Sequence, residues 1–253
     1  MKALICALAV LAALALPARA RADQSGFLYA YALQDARFND TIFSVDATKP
    51  VGSPQATIRP YFEAFYTRDT RTTGGRLPQT FADNYLLGAA GLQAQFADGL
   101  RLFAQVGAAQ QIGEPSPDVT QQSGGDFRGG AQLYREWSVP LGDPGPIGSF
   151  YGSAAYYSRY RDGIVYLQAE RGRAFGHGRT TDVYARVTVT ADTQGYYYDN
   201  VAELGVGVRI HPFGAQGPSL ALEGFGGVYL RAGSPTGSTY VDLRPTLTLG
   251  VAF

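Results

Sequence analysis

The chain has 253 residues, 45% of them hydrophobic and 13% aromatic, and its 21 Lys and Arg are balanced by 21 Asp and Glu. That length suits one large β domain, and the lack of an acidic or basic excess gives no reason to expect a nucleic-acid partner. The 32 glycines follow no collagen-like period.

Lys2 opens the chain, an apolar run from Ala3 to Leu16 follows, and Pro17-Ala18-Arg19-Ala20 supplies an A-x-A site. This is the pattern of a secretory signal peptide over residues 1–20, with cleavage expected after Ala20. The run is shorter than the roughly 18 residues that a membrane-spanning helix needs. Cys6, the one cysteine, lies inside it, so the mature chain from Arg21 is expected to have no disulfide or thiol chemistry. No later apolar run is long enough for a spanning helix, so any membrane insertion must use strands.

Taken in order, Gly26–Leu33 and Thr41–Ala47 are short strand candidates rich in Tyr, Phe, Val and Ile, and Arg59–Thr67 is a stronger one. Tyr85–Phe96 and Leu100–Gln110 form a hairpin around Ala97-Asp98-Gly99, because Asp-Gly is a turn signal. Phe127–Val139, Ser149–Ser158, Gly163–Arg171, Thr181–Asp192, Val201–Ile210 and Ser219–Leu230 follow. Several alternate cleanly: Val183, Ala185, Val187 and Val189 stand against Asp182, Tyr184, Arg186 and Thr188. The last strand, Tyr240–Phe253, alternates from Leu243 and stops on an aromatic residue. A terminal Phe253 on such a strand resembles the assembly signal read by the barrel-assembly machinery of bacterial outer membranes.

These segments run about 9 to 13 residues, near the length a tilted strand needs to cross a bilayer and beyond the five or six typical of soluble strands. The expected fold is therefore all-β, a closed antiparallel transmembrane β-barrel of twelve strands. An alternative keeps ten strands, with the region 21–58 as a plug or tail and 59–253 as the barrel. With Phe253 periplasmic, the turns at 97–99, 140–147, 172–179 and 212–218 fall inside. The loops at 68–84, 111–125, 193–199 and 231–238 then fall outside, joined by an unusually short connection at 159–162. Short periplasmic turns and longer external loops are the rule for such barrels.

In lipid, backbone groups must be bonded internally and the sheet must close. Closure turns the apolar parity outward to outer-membrane lipid. The lumen then receives Arg59, Glu63, Arg101, Arg128, Glu136, Glu170, Arg186, Glu203, Arg209, Glu223, Asp242 and Arg244, basic and acidic in equal number. Either these ions pair and stiffen a partly filled interior, or they line a narrow conducting path. Trp137, Tyr156, Tyr157 and Tyr196-Tyr197-Tyr198 read as an interfacial girdle, with sugar stacking on the three tyrosines as the other reading. His177 and His211 stand without a Ser-His or His-Glu-x-x-His pattern. No clustered His, Cys and carboxylates have metal-ligand spacing, and the glycine stretches read as strand glycines, so no catalytic residue, metal or cofactor is expected.

The phrases RPYFEAFYTRDTRT (59–72), GGAQLYREW (129–137), YYSRYRDGIVYLQAERG (156–172), DTQGYYYDNVAELGVGVRIHP (192–212) and GSTYVDLRP (237–245) resemble the C-terminal barrel domain of bacteriophage adsorption protein A. In longer relatives that domain follows a tetratricopeptide-repeat region, for which residues 21–58 leave no room. The resemblance implies a non-enzymatic outer-membrane protein associated with exopolysaccharide secretion components and used by phage as a receptor. The other readings are an outer-membrane enzyme modifying lipid or glycan and a soluble periplasmic β-sandwich or lipocalin-like binder.

Overall fold

The structure, a computed structural model, describes residues 26–35, 40–69, 84–96, 99–112, 123–137, 143–176, 178–195, 200–214, 217–231 and 238–252. Twelve strands run in chain order: β1 (Phe27–Asp35), β2 (Asp40–Pro50), β3 (Ile58–Asp69), β4 (Tyr85–Gln95), β5 (Leu100–Gln111) and β6 (Gly124–Glu136), then β7 (Gly145–Tyr157), β8 (Asp162–Phe175), β9 (Thr181–Asp192), β10 (Val201–Ile210), β11 (Ser219–Tyr229) and β12 (Thr239–Ala252). Each pairs antiparallel with its sequence neighbours, and β1 pairs with β12 to close the barrel. The closing seam runs from Phe27 opposite Ala252 to Leu33 opposite Thr246.

Closure removes both sheet edges, so every strand finds backbone partners on two sides. It also decides the strand count. The ten-strand alternative does not hold, and neither does a boundary at Arg59, because β1 and β2 are wall strands and β1 makes the seam. Phe253 lies outside the described residues.

Alternation sorts the side chains as expected. Val206 and Val241 are 66% and 87% exposed on the outside, and Leu92, Val106, Leu204 and Leu243 are exposed on the same outer surface, whereas inward Tyr61 and Leu87 are each 1% exposed. A continuous apolar exterior on a closed sheet is the inverse of a soluble fold and marks a surface meant for lipid.

Two expected turns are smaller than their sequence suggested. The segment 172–179 contains the end of β8, which runs to Phe175. A Cβ on Gly172 would lie 2.7 Å from Tyr184 Cα, so this glycine serves close strand approach rather than a turn. The turn itself has positive φ at Gly176, Gly178 and Arg179. Likewise β7 begins at Gly145, and Ile147 is a buried wall residue at 2% exposure. Phe127–Val139 shifts to Gly124–Glu136 for β6. In the β4–β5 hairpin Phe96 N donates to Leu100 O at 2.8 Å and Gly99 takes φ +79°; Ala97 and Asp98 lie outside the described residues.

The connections separate into two ends. One carries 51–57, 96–99, 137–144, 176–180 and 211–218, here termed the short-turn end. The other, the long-loop end, carries 36–39, 70–84, 112–123, 158–161, 193–200 and 230–238. The short connection at 158–161 is a tight turn in which Arg161 N donates to Ser158 O at 3.1 Å.

Candidate functional site

The interior is a polar network built by arginines that reach along the wall. On the β8–β11 side, Glu170 is its centre. Arg186 Nη2 donates to Glu170 Oε2 at 2.9 Å, and Arg209 donates to both carboxylate oxygens at 3.0 and 2.8 Å. Arg186 Nη1 also lies 2.9 Å from Glu223 Oε2, which accepts the Tyr184 hydroxyl at 3.0 Å. Nearer the short-turn end, Asp182 is fully buried and is gripped by Arg179 Nε at 3.0 Å and Nη2 at 3.1 Å, with His211 Nε2 2.9 Å away. Arg209 Nη1, 3.6 Å from Asp182, links the two groups. Glu203 accepts from Thr188 at 3.0 Å, Tyr240 at 2.6 Å and Arg244 at 3.3 Å.

Cross-strand pairing explains why these long side chains fit. Tyr184 stands opposite Gly207 and Tyr240 opposite Gly227. A Cβ on either glycine would clash with the phenol of its partner, 2.6 Å from Tyr184 Cζ and 2.3 Å from Tyr240 Cζ. The rings therefore lie flat on the wall and offer their faces to cations. Arg209 and Arg186 stack over Tyr184 at 4.5 and 5.0 Å, and Arg244 stacks over Phe225 at 4.0 Å.

The β3–β7 side repeats the device. Arg128 donates through Nε and Nη2 to Asp126 Oδ2, at 3.0 and 2.9 Å, and through Nη2 to Tyr85 at 2.8 Å. Its Nη1 lies 3.8 Å from Glu63, and the rings of Phe65, Tyr85 and Tyr157 surround it at about 5.5 Å. Arg101 stacks on Tyr61 and Phe103 and donates through Nη1 to Gln132 at 3.0 Å. The Tyr61 hydroxyl donates to Gln105 Oε1.

At the long-loop end the turn 158–161 folds inward. Arg159, 2% exposed, reaches past β6 and β5 to lie 4.5 Å over the Tyr85 ring and donates to Gln111. Asp162 beside it, 1% exposed, accepts from Thr193 N at 3.0 Å and Gln194 N at 3.2 Å and so pins the next loop.

Of the charges expected in the lumen, Arg128, Glu170, Glu223 and Asp242 are buried there, and Arg59, Glu63, Arg101, Arg186, Glu203, Arg209 and Arg244 are half-buried on the same face. Glu136 shares the parity of Arg128 but is exposed at the end of β6, accepting the Tyr134 hydroxyl at 3.0 Å. The last pair of a strand projects past the shielded wall. Tyr157 is a correction, since it faces Arg128 inside the barrel while Tyr156 and Trp137 are exposed outside, at 44% and 50%. Adjacent strand residues must point to opposite faces, so Tyr156 and Tyr157 could not both join a girdle. Tyr196–Tyr198 and His177 lie outside the described residues.

Asp126, Asp182, Arg159, Arg179 and His211 are interior partners that the sequence reading passed over. Asp126 and Asp182 share parity with Arg128 and Arg186 and were within reach of the alternation rule. Arg159 and Arg179 sit in turns, where parity says nothing. Among the described residues no group of three or more His, Cys, Asp or Glu is arranged to hold a metal ion.

No protein-family model matches this sequence, and no curated protein matches it. Among solved structures it is similar to an outer membrane channel from Pseudomonas putida F1 at 13% identity and a TM-score of 0.47, covering 94% of this chain and 99% of that one. LpxR from Salmonella typhimurium is similar at 12% identity and 0.42, over 89% and 99% of the two chains. The KdgM porin, solved in complex with disordered oligogalacturonate, is similar at 6% identity and 0.41, over 90% and 99%. At these values the likeness is one of barrel architecture.

Proposed function

We propose that this chain is a non-enzymatic outer-membrane β-barrel that acts at the cell surface in exopolysaccharide export or display, with its long-loop end outward and available to adsorbing phage. The observation that carries the reading is the cross-linking of the lumen: Glu170 ties β8 to β9 and β10, and Arg128 ties β6 to β3 and β4. Removing one partner from such a buried pair leaves a charge in a low-dielectric interior, so the network resists opening. An interior built this way supports a stiff scaffold better than a wide solute pore. Work is then left to the surfaces at its two ends. The phrases that resemble the phage adsorption protein A barrel support the polysaccharide role. The β1–β12 seam supports delivery by the barrel-assembly machinery.

The test has two parts. Fractionated cells should hold the protein in the outer membrane, and the detergent-extracted barrel should change gel mobility on boiling. In planar bilayers it should then show far lower conductance than a general porin, and deletion of its coding sequence should reduce surface polysaccharide. A soluble periplasmic protein, or a deletion that leaves surface polysaccharide unchanged, would overturn the reading.

A further inference from the structure

Three arginines of the lumen use their guanidinium groups in one repeated way, whereas Arg209 and Arg244 meet their carboxylates through Nη1 and Nη2. The edge formed by Nε and Nη2, whose two N–H bonds run parallel, grips a carboxylate: Arg128 on Asp126, Arg179 on Asp182 and Arg186 on Glu170. Arg101 grips no carboxylate through this edge. Its Nη1 is donated to Gln132, but its buried Nε and Nη2 have no hydrogen-bond partner among the described residues. The amide Nε2 of Gln105 is likewise buried and unmatched, while its Oε1 is held by the Tyr61 hydroxyl. Tyr61 connects the two, since it stacks against Arg101 at 4.8 Å and bonds Gln105. Unmet donors therefore converge around one ring, with a bidentate edge among them.

We infer that this part of the lumen is a binding site for a carboxylate-bearing solute, held by the Nε–Nη2 edge of Arg101 and assisted by Gln105 Nε2. Burying donors without acceptors is costly, whereas a carboxylate matches the parallel N–H pair of a guanidinium edge. Arg101 is held against two rings, Tyr61 at 4.8 Å and Phe103 at 5.2 Å. It is the second residue of β5, so the site lies one layer inside the short-turn mouth. Asp46 and Glu63 face the same region from β2 and β3; Asp46 accepts from Thr48 at 3.2 Å and Glu63 lies 3.8 Å from Arg128. Their charge disfavours a dianion, so the site selects a single carboxylate over phosphate. The inference does not depend on a role in polysaccharide export.

The experiment titrates the full chain, folded in detergent, with sodium glucuronate, acetate, glucose and inorganic phosphate by calorimetry. Saturable binding of the carboxylates, exceeding that of phosphate and glucose, is expected. It should weaken at least tenfold in Arg101→Lys, which keeps the charge but lacks the bidentate edge, and in Arg101→Gln, with the heat-modifiable band retained. Gln105→Leu should weaken it severalfold and keeps the test decisive if the Arg101 variants fail to fold. Glucuronate tighter than acetate identifies a sugar acid as the occupant, and equal affinities a small organic acid. No saturable carboxylate binding by the unmodified barrel, or binding unchanged in folded Arg101→Lys or in Gln105→Leu, overturns the inference.

Discussion

Arg209 and Glu170 stand on β10 and β8 with β9 between them, yet Arg209 Nη2 reaches Glu170 Oε2 at 2.8 Å. The contact bridges past the Tyr184 ring of the intervening strand, which the guanidinium overlies at 4.5 Å. Glu170 consequently neutralises Arg186 and Arg209 together. Glu170→Gln should therefore cost more than a surface ion pair, on the order of 3 kcal/mol, because two half-buried cations lose their shared anion. Denaturant unfolding of the detergent-folded barrel measures this, and a change under about 1 kcal/mol would show the network to be energetically idle.

The inward turn at 158–161 predicts a change in permeability. Arg159 is 2% exposed and packs against Tyr85 at the long-loop end of the lumen. Arg159→Ala removes that bulk without touching the wall. Single-channel conductance should rise severalfold over the unmodified barrel while gel mobility stays that of the folded form.

Outside, Val206 sits at the middle of β10 and is 66% exposed. Placing an arginine there should destabilise the barrel in lipid vesicles by about 2–4 kcal/mol, as expected for a charge facing the bilayer midplane. Folding yield into vesicles should fall for Val206→Arg. An unaffected yield would mean that this face meets water.

Trp137 is the single tryptophan, and its indole lies across Gly148, where an added Cβ would come 2.0 Å from Nε1. Gly148→Ala must push the ring off the wall. Brominated lipids should quench Trp137 fluorescence in the unmodified protein, and the emission maximum and quenching depth should both shift in the variant.

Removal of β1 tests the seam. Without Phe27–Asp35, β12 and β2 become open edges facing lipid, with unpaired backbone groups that each cost several kcal/mol. The truncated chain should lose the heat-modifiable band altogether, whereas a ten-strand barrel would have kept it.

Much of this protein was determined by its sequence alone. Strict alternation in Thr181–Asp192 and Val201–Ile210 dictates which residues face lipid and which face the lumen, because a strand has only two sides. Strand length and the balance of inward Arg and Glu pointed to a membrane barrel with a paired interior. Tertiary structure decided the rest. Whether Phe27–Asp35 was wall or tail depended on its meeting β12, at the far end of the chain, and no local propensity encodes that seam. Parity placed Arg101, Arg128 and Arg209 inside without naming their partners, since a guanidinium can reach past a neighbouring strand when the ring beneath it lies flat on a glycine. Arg159 and Arg179, in turns where alternation has no meaning, became interior residues only when closure curved those turns over the lumen.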